Sequence, residues 1–234
     1  MVRLAAWALI GAGLVGVAVY LIEAFAPPSA SSAHYNYPVG AEVYVAAQLL
    51  FGVQHLALAF GVLGLIWSGA VPPSSLGTPS AYAASGAVAL LAVVQLVAIA
   101  AAGESRNEFF VDMLDESFGF ISAAVALTLV LTGIAVAYAG RWRGPWRYLP
   151  LGLGIYVFFP LIPALTAPMG VARVVLAGWM VLFTLLGVGL LVQDRLPRPT
   201  RVTQRAGPSA VAAIPAEVDD VPREATRNGS DRSP

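Results

Sequence analysis

Six apolar stretches, each long enough to cross a hydrocarbon core, constrain this chain more than any other feature. They cover approximately residues 4–22, 43–67, 81–102, 118–139, 148–167 and 171–192. A helix rising 1.5 Å per residue needs about 20 apolar residues to span a bilayer. Arg173 is the one charged residue inside any stretch, and it lies near enough to an end to extend into the headgroups. The pattern predicts an all-α, polytopic membrane protein with six transmembrane helices over residues 1–194.

Composition supports this against a soluble alternative. The chain is 58% apolar and 11% charged, whereas a soluble domain carries roughly 25% charged residues. Too few charges remain to coat a water-facing surface. Net charge is zero, which removes the bulk electrostatic case for binding nucleic acid. Cysteine is absent, so disulfides, thiolate nucleophiles, Cys-ligated zinc and iron–sulfur clusters are excluded together. The basic residues are all arginine, a bias that accompanies GC-rich bacterial genomes.

The first stretch has features of a secretory signal, because Arg3 precedes it and Ala24-Phe25-Ala26 resembles a cleavage box. Its apolar run exceeds the 7–15 residues of a signal core, and Pro27 follows the would-be cut. It is expected to stay as an anchor.

Arginine placement sets the expected orientation. With the N-terminus inside, Arg3, Arg141, Arg143, Arg147, Arg195, Arg198, Arg201 and Arg205 fall in cytoplasmic segments, and only Arg106 and Arg173 fall outside. Six spans then return the C-terminus to the cytoplasm. Glu23, Glu42, Glu104, Glu108, Asp112, Asp115 and Glu116 make the outer face negative. The uncharged loop 68–80 is cytoplasmic by parity alone. Residues 195–234, basic and then acidic, lack the apolar content to fold and are expected to form a disordered cytoplasmic tail. The two halves of the span region show no convincing inverted repeat of the transporter kind.

Polar residues inside the spans are the candidate site. The second stretch carries Gln48, Gln54 and His55. Positions 48 and 55 share a helix face, and Gln54 lies about 100° away. An ionisable residue at membrane depth is a functional-site hypothesis: a proton relay, a substrate contact, or a metal or haem ligand. The structural alternative is a neutral histidine hydrogen-bonded to another helix, with Gln95, Thr128 and Thr132 as partners. Bis-histidine haem ligation is disfavoured, because the second histidine, His34, lies in a loop. No cofactor and no metal is expected.

A second candidate lies in 104–116, where Glu104, Glu108, Asp112 and Asp115 fall within an 80° arc at about 100° per residue. This predicts an amphipathic helix on the outer interface with a carboxylate ridge toward water. Such a ridge can attract cations, although carboxylates one turn apart repel one another. The fifth stretch contains Pro150, Pro160 and Pro163, and Pro160 should kink its helix. Ala12-x-x-x-Gly16 and Ala57-x-x-x-Gly61 suit close helix contacts.

The chain has no phosphate-binding glycine loop, HExxH or GxSxG motif, and no pair of intramembrane aspartates. It is expected to be a non-catalytic membrane component or scaffold in the cell membrane, in contact with lipid and with partner membrane proteins or copies of itself. The alternative is a small permease with a polar site near His55.

Overall fold

The computed structural model describes residues 1–164 and 166–196; the tail, beyond Leu196, lies outside the described residues. Six helices are long and apolar enough to cross a membrane. They are α1 (Val2–Phe25), α2 (Ala41–Trp67), α3 (Gly77–Ala101), α4 (Phe109–Ala139), α5 (Gly144–Ala164) and α6 (Met169–Arg195). Among the described residues there is no strand. The chain is a multi-pass membrane protein by this architecture.

The helices extend beyond the apolar stretches because polar residues continue the same helical turns. The clearest case is α4, which starts at Phe109, well before the apolar run at 118. Its 31 residues make a rod of about 45 Å, longer than the ~30 Å hydrocarbon core. A separate interfacial helix over 104–116 is therefore not formed. Residues 104–108 are not helical, with Ser105 in the bridge to His34, and 109–116 are the opening turns of α4. Gly140 ends α4 in the left-handed conformation (φ 60°), the usual helix stop for a residue without Cβ.

Helix α5 is irregular where proline dictates. It opens as a 3₁₀ turn (Gly144–Tyr148), continues as α-helix to Tyr156 and widens to a π-turn over Val157–Leu161. Pro160 lies inside that turn, where its missing N–H and its ring cannot fit the α ladder.

Successive helices pack side by side, and α6 returns to α1. Small residues make the close approaches. On α4, a Cβ at Gly133 would collide with the backbone of Leu151 on α5, and one at Gly154 would strike Ala126 and Val130 in return. Gly13 and Gly16 of α1 lie against Thr184 and Met180 of α6, and Gly187 of α6 lies against Ala6 and Ile10. Gly61 on α2 receives Leu9. Both Gly16 and Gly61 thus sit at helix contacts, as small-residue packing in lipid requires.

Helix α2 is arranged inside-out relative to a soluble helix. Tyr44, Gln48, Phe51, His55, Leu58, Val62 and Leu65 are buried at alternating spacings of three and four, while Val43, Val53 and Leu56 are exposed. With hydrocarbon as the surrounding solvent, polar groups gain by turning inward and aliphatic ones lose nothing outside.

The two ends of the bundle differ in charge. At the basic end, Arg3 on α1 pairs with Asp194 on α6 (3.0 Å), and Arg141 donates to the carbonyls of Gly69 and Val71. The Arg143 N–H donates to Gln193 Oε1, and Gln193 Nε2 donates to the Arg143 carbonyl. At the acidic end, the loop after α1 pairs with the loop after α3 through the His34–Ser105 bridge. Tyr35 N–H donates to the Glu104 carbonyl, Arg106 N–H to the Ala33 carbonyl, and Gly103 N–H to Asn36 Oδ1.

Candidate functional site

His55 points into the bundle at 3% exposure, as a costly polar ring at membrane depth should. Its Nδ1 lies 2.8 Å from the carbonyl oxygen of Phe51, one turn earlier in the same helix. A carbonyl can only accept, so this contact assigns the proton of the neutral ring to Nδ1 and leaves Nε2 as the acceptor. Two of the three anticipated interhelical partners are engaged elsewhere. Thr132 Oγ1 donates to the Thr128 carbonyl of its own helix (2.7 Å) and lies 3.2 Å from Ser80 Oγ, and Thr128 donates to Ala124.

The other polar residues of α2 are also buried but do not converge on His55. Gln54 turns toward α1 and α6, where its Nε2 donates to the Ala12 carbonyl and lies 3.0 Å from Met180 Sδ. It occupies the space that a side chain on Gly16 would take. Gln48 shares the face of His55, two turns or about 10 Å along the axis, and its Oε1 is buried without a hydrogen-bond partner. Gln95 is buried on α3. Gln54 bonds toward α1 and α6 and His55 to its own helix, and among the described residues no hydrogen bond joins any two of these four.

The carboxylates of the second candidate are placed differently from expectation. Glu104 and Glu108 are exposed in the turns before α4, and Asp112 and Asp115 are exposed on its first turns. The helical arc that would align all four does not exist, because the chain is not helical at 104–108. Asp115 accepts a hydrogen bond from Tyr35 Oη (2.9 Å), and Arg106 lies over the Tyr35 ring at 5.9 Å. Burial of Tyr35, reinforced by the Asp115 charge and hydrogen bond, raises its phenol well above the ordinary tyrosine range. Among the described residues, no three His, Asp or Glu side chains are grouped to share a metal ion.

A third cluster joins residues far apart in the sequence. Glu23 near the end of α1 and Arg173 near the start of α6 form an ion pair, Oε2 to Nε, at 3.0 Å. The two atoms are not aligned for a hydrogen bond, so charge holds the pair. Its side chains are 10% and 24% exposed. The guanidinium carbon lies 5.8 Å from the Tyr20 ring, which stacks on Phe51 at 4.8 Å. Three helices thus contribute to one cation–aromatic–anion group near the acidic end. Beside it runs an apolar crevice of about 410 Å³, lined by Ala24 and Phe25 on one side and Gly170, Val171, Val174 and Val175 on the other.

The ion pair adds a partner that was not anticipated for Arg173, whose place near the end of its span is otherwise as expected. The sequence carries a signal for it: opposite charges flank two spans at what topology makes the same end. No protein-family profile, curated protein or solved structure matches this chain.

Proposed function

We propose that this protein is a non-catalytic component of the cell membrane, a scaffold or accessory subunit whose interior polar groups hold helices in register. The supporting observation is where those groups bond. Gln54 donates to Ala12, Ser85 to Ala59, Tyr44 to Ala98, Trp179 to Leu153 and Tyr156 to Val175, each time to a backbone carbonyl of a neighbouring helix. Side chains engaged in this way fasten helices; they leave few donors free to meet a substrate. Both termini lie in the cytoplasm of a bacterial cell in this reading, because positive residues are retained on that side. The acidic end then faces outward.

The decisive experiment is mild extraction of the full chain from its native membrane, followed by native mass determination and an absorption spectrum. A stoichiometric partner subunit or a homo-oligomer supports the scaffold reading. A coloured cofactor, or turnover of a membrane substrate by the isolated chain, overturns it.

A permease is the second reading, favoured by the unpartnered Oε1 of Gln48 on the buried face that it shares with His55. The π-turn at Pro160 supplies the irregular backbone on which transporter sites are often built. Uptake of a solute into proteoliposomes that is lost in both Gln48→Leu and His55→Gln would replace the scaffold reading with this one.

A further inference from the structure

We propose that the crevice between the acidic-end turns of α1 and α6 binds one phospholipid, its phosphate on Arg173 and one acyl chain along the crevice. The walls specify the tail. Ala24, Phe25, Gly170, Val171, Val174 and Val175 offer almost no polar surface. Phe25, Val171 and Val174 remain exposed at 78%, 51% and 44%. At Gly170 the two helices come close, a Cβ there meeting the Ala24 carbonyl at 3.4 Å.

Arg173 specifies the headgroup. It lies on α6 one residue before Val174 and two after Val171, next to the crevice in the chain without itself lining it. Glu23, nine-tenths buried, holds its Nε edge. A guanidinium has five donors in a fixed fork, and with Nε fixed the Nη groups remain for another anion. Among the described residues, no hydrogen-bond acceptor meets them. Nor does either charged atom of the pair have a hydrogen bond. A partly desolvated cation with unused donors at the edge of hydrocarbon is costly unless an oxyanion satisfies it. The phosphodiester of a bilayer lipid is an oxyanion that comes attached to an acyl chain, and it suits the planar fork. Tyr20, stacked on Phe51, lies beside the guanidinium with its ring 5.8 Å from the guanidinium carbon.

The test is native mass spectrometry of the full chain in detergent, titrated separately with dioleoylphosphatidylglycerol and with dioleoylglycerol, which has the same chains and no phosphate. One phosphatidylglycerol should bind about tenfold or more tightly than the first dioleoylglycerol. Arg173→Lys, which keeps the charge beside Glu23, should weaken the phospholipid about tenfold and leave the diacylglycerol unchanged. Val171→Trp, which fills the crevice without touching the ion pair, should weaken both lipids. Equal affinity for the two lipids overturns the headgroup assignment. Undiminished binding in Val171→Trp overturns the crevice, and so does a dimer that the same substitution disrupts, since a second helix would then be the occupant. Should Arg173→Lys fail to fold, the lipid pair and Val171→Trp still decide.

Discussion

Replacing Gly133 by alanine is the sharpest test of how this bundle is held together. An ideal Cβ at Gly133 would fall on the N and Cα atoms of Leu151, and one at Gly154 would meet the Ala126 carbonyl (2.6 Å) and the Val130 nitrogen (2.7 Å). Backbone atoms cannot rotate out of the way, so α4 and α5 must separate. In a well-packed interior, an added methyl that forces such a shift costs about 1–3 kcal/mol. Against this, alanine recovers up to ~1 kcal/mol of helix propensity. Because the two nearest obstacles are main-chain atoms, the steric loss wins, and Gly133→Ala should be destabilised by about 1–2 kcal/mol. The control is built into the same structure. Gly86 on α3 and Gly152 on α5 have open space where a Cβ would stand, so Gly86→Ala and Gly152→Ala should be neutral or slightly stabilised. Reversible unfolding in mixed micelles, followed by circular dichroism, gives the four free energies. Equal stability of Gly133→Ala and Gly152→Ala would refute the close approach of α4 to α5.

Further outcomes follow from other contacts. Ser85→Ala removes a buried hydrogen bond to the Ala59 carbonyl (2.9 Å) and should cost about 0.6 kcal/mol in the same assay; a loss several times larger would mean that Ser85 does more than bridge α2 and α3. His55→Gln should fold normally, while His55→Ala should lose about 2 kcal/mol through the cavity left in the core; normal folding of both variants would show that the ring is not a packing element. The Tyr35 phenol, raised by burial and by Asp115, is protonated in both states below its ordinary value of about 10. As pH rises through that value the unfolded chain ionises first, so the cap at the acidic end should lose stability with increasing pH. Hydrogen exchange at the Tyr35 and Gly103 amides will follow this, and an acceleration that persists unchanged in Tyr35→Phe would sink the linkage. Reporter fusions after Gly77, Ser105 and Gln204 should read inside, outside and inside; an external signal at Gln204 would reverse the proposed topology.

The number of helices is legible in the sequence because the bilayer imposes a length, and runs of about 20 apolar residues are rare outside membranes. The inward orientation of His55 is legible for a related reason: hydrocarbon penalises a polar ring on any helix. Its hydrogen-bond partner is not. A search among side chains overlooks the Phe51 carbonyl, which every helix supplies one turn away. The acidic ridge fails at its boundary. Periodicity in 104–116 is real from Phe109 onward, but the paired loops hold 104–108 through backbone hydrogen bonds that no periodicity registers. The Glu23–Arg173 pair escapes because it depends on α1 lying beside α6, and no local pattern states which of six similar helices are neighbours.

That adjacency has a consequence for biosynthesis. Of these six helices α1 enters the membrane ahead of the others, yet much of its packing surface, from Ala6 to Gly16, is shaped for α6, the sixth to emerge. Until then Glu23 has no counter-ion, and Arg3 has no Asp194. A nascent chain of five helices is therefore an open circuit with a carboxyl group and a glycine-lined seam facing lipid, a form that quality-control proteases or a holding insertase can distinguish from the finished ring. Arrival of the sixth helix closes the seam at both ends at once. A termination anywhere before Met169 should thus yield a short-lived product, even though every helix it contains can insert on its own.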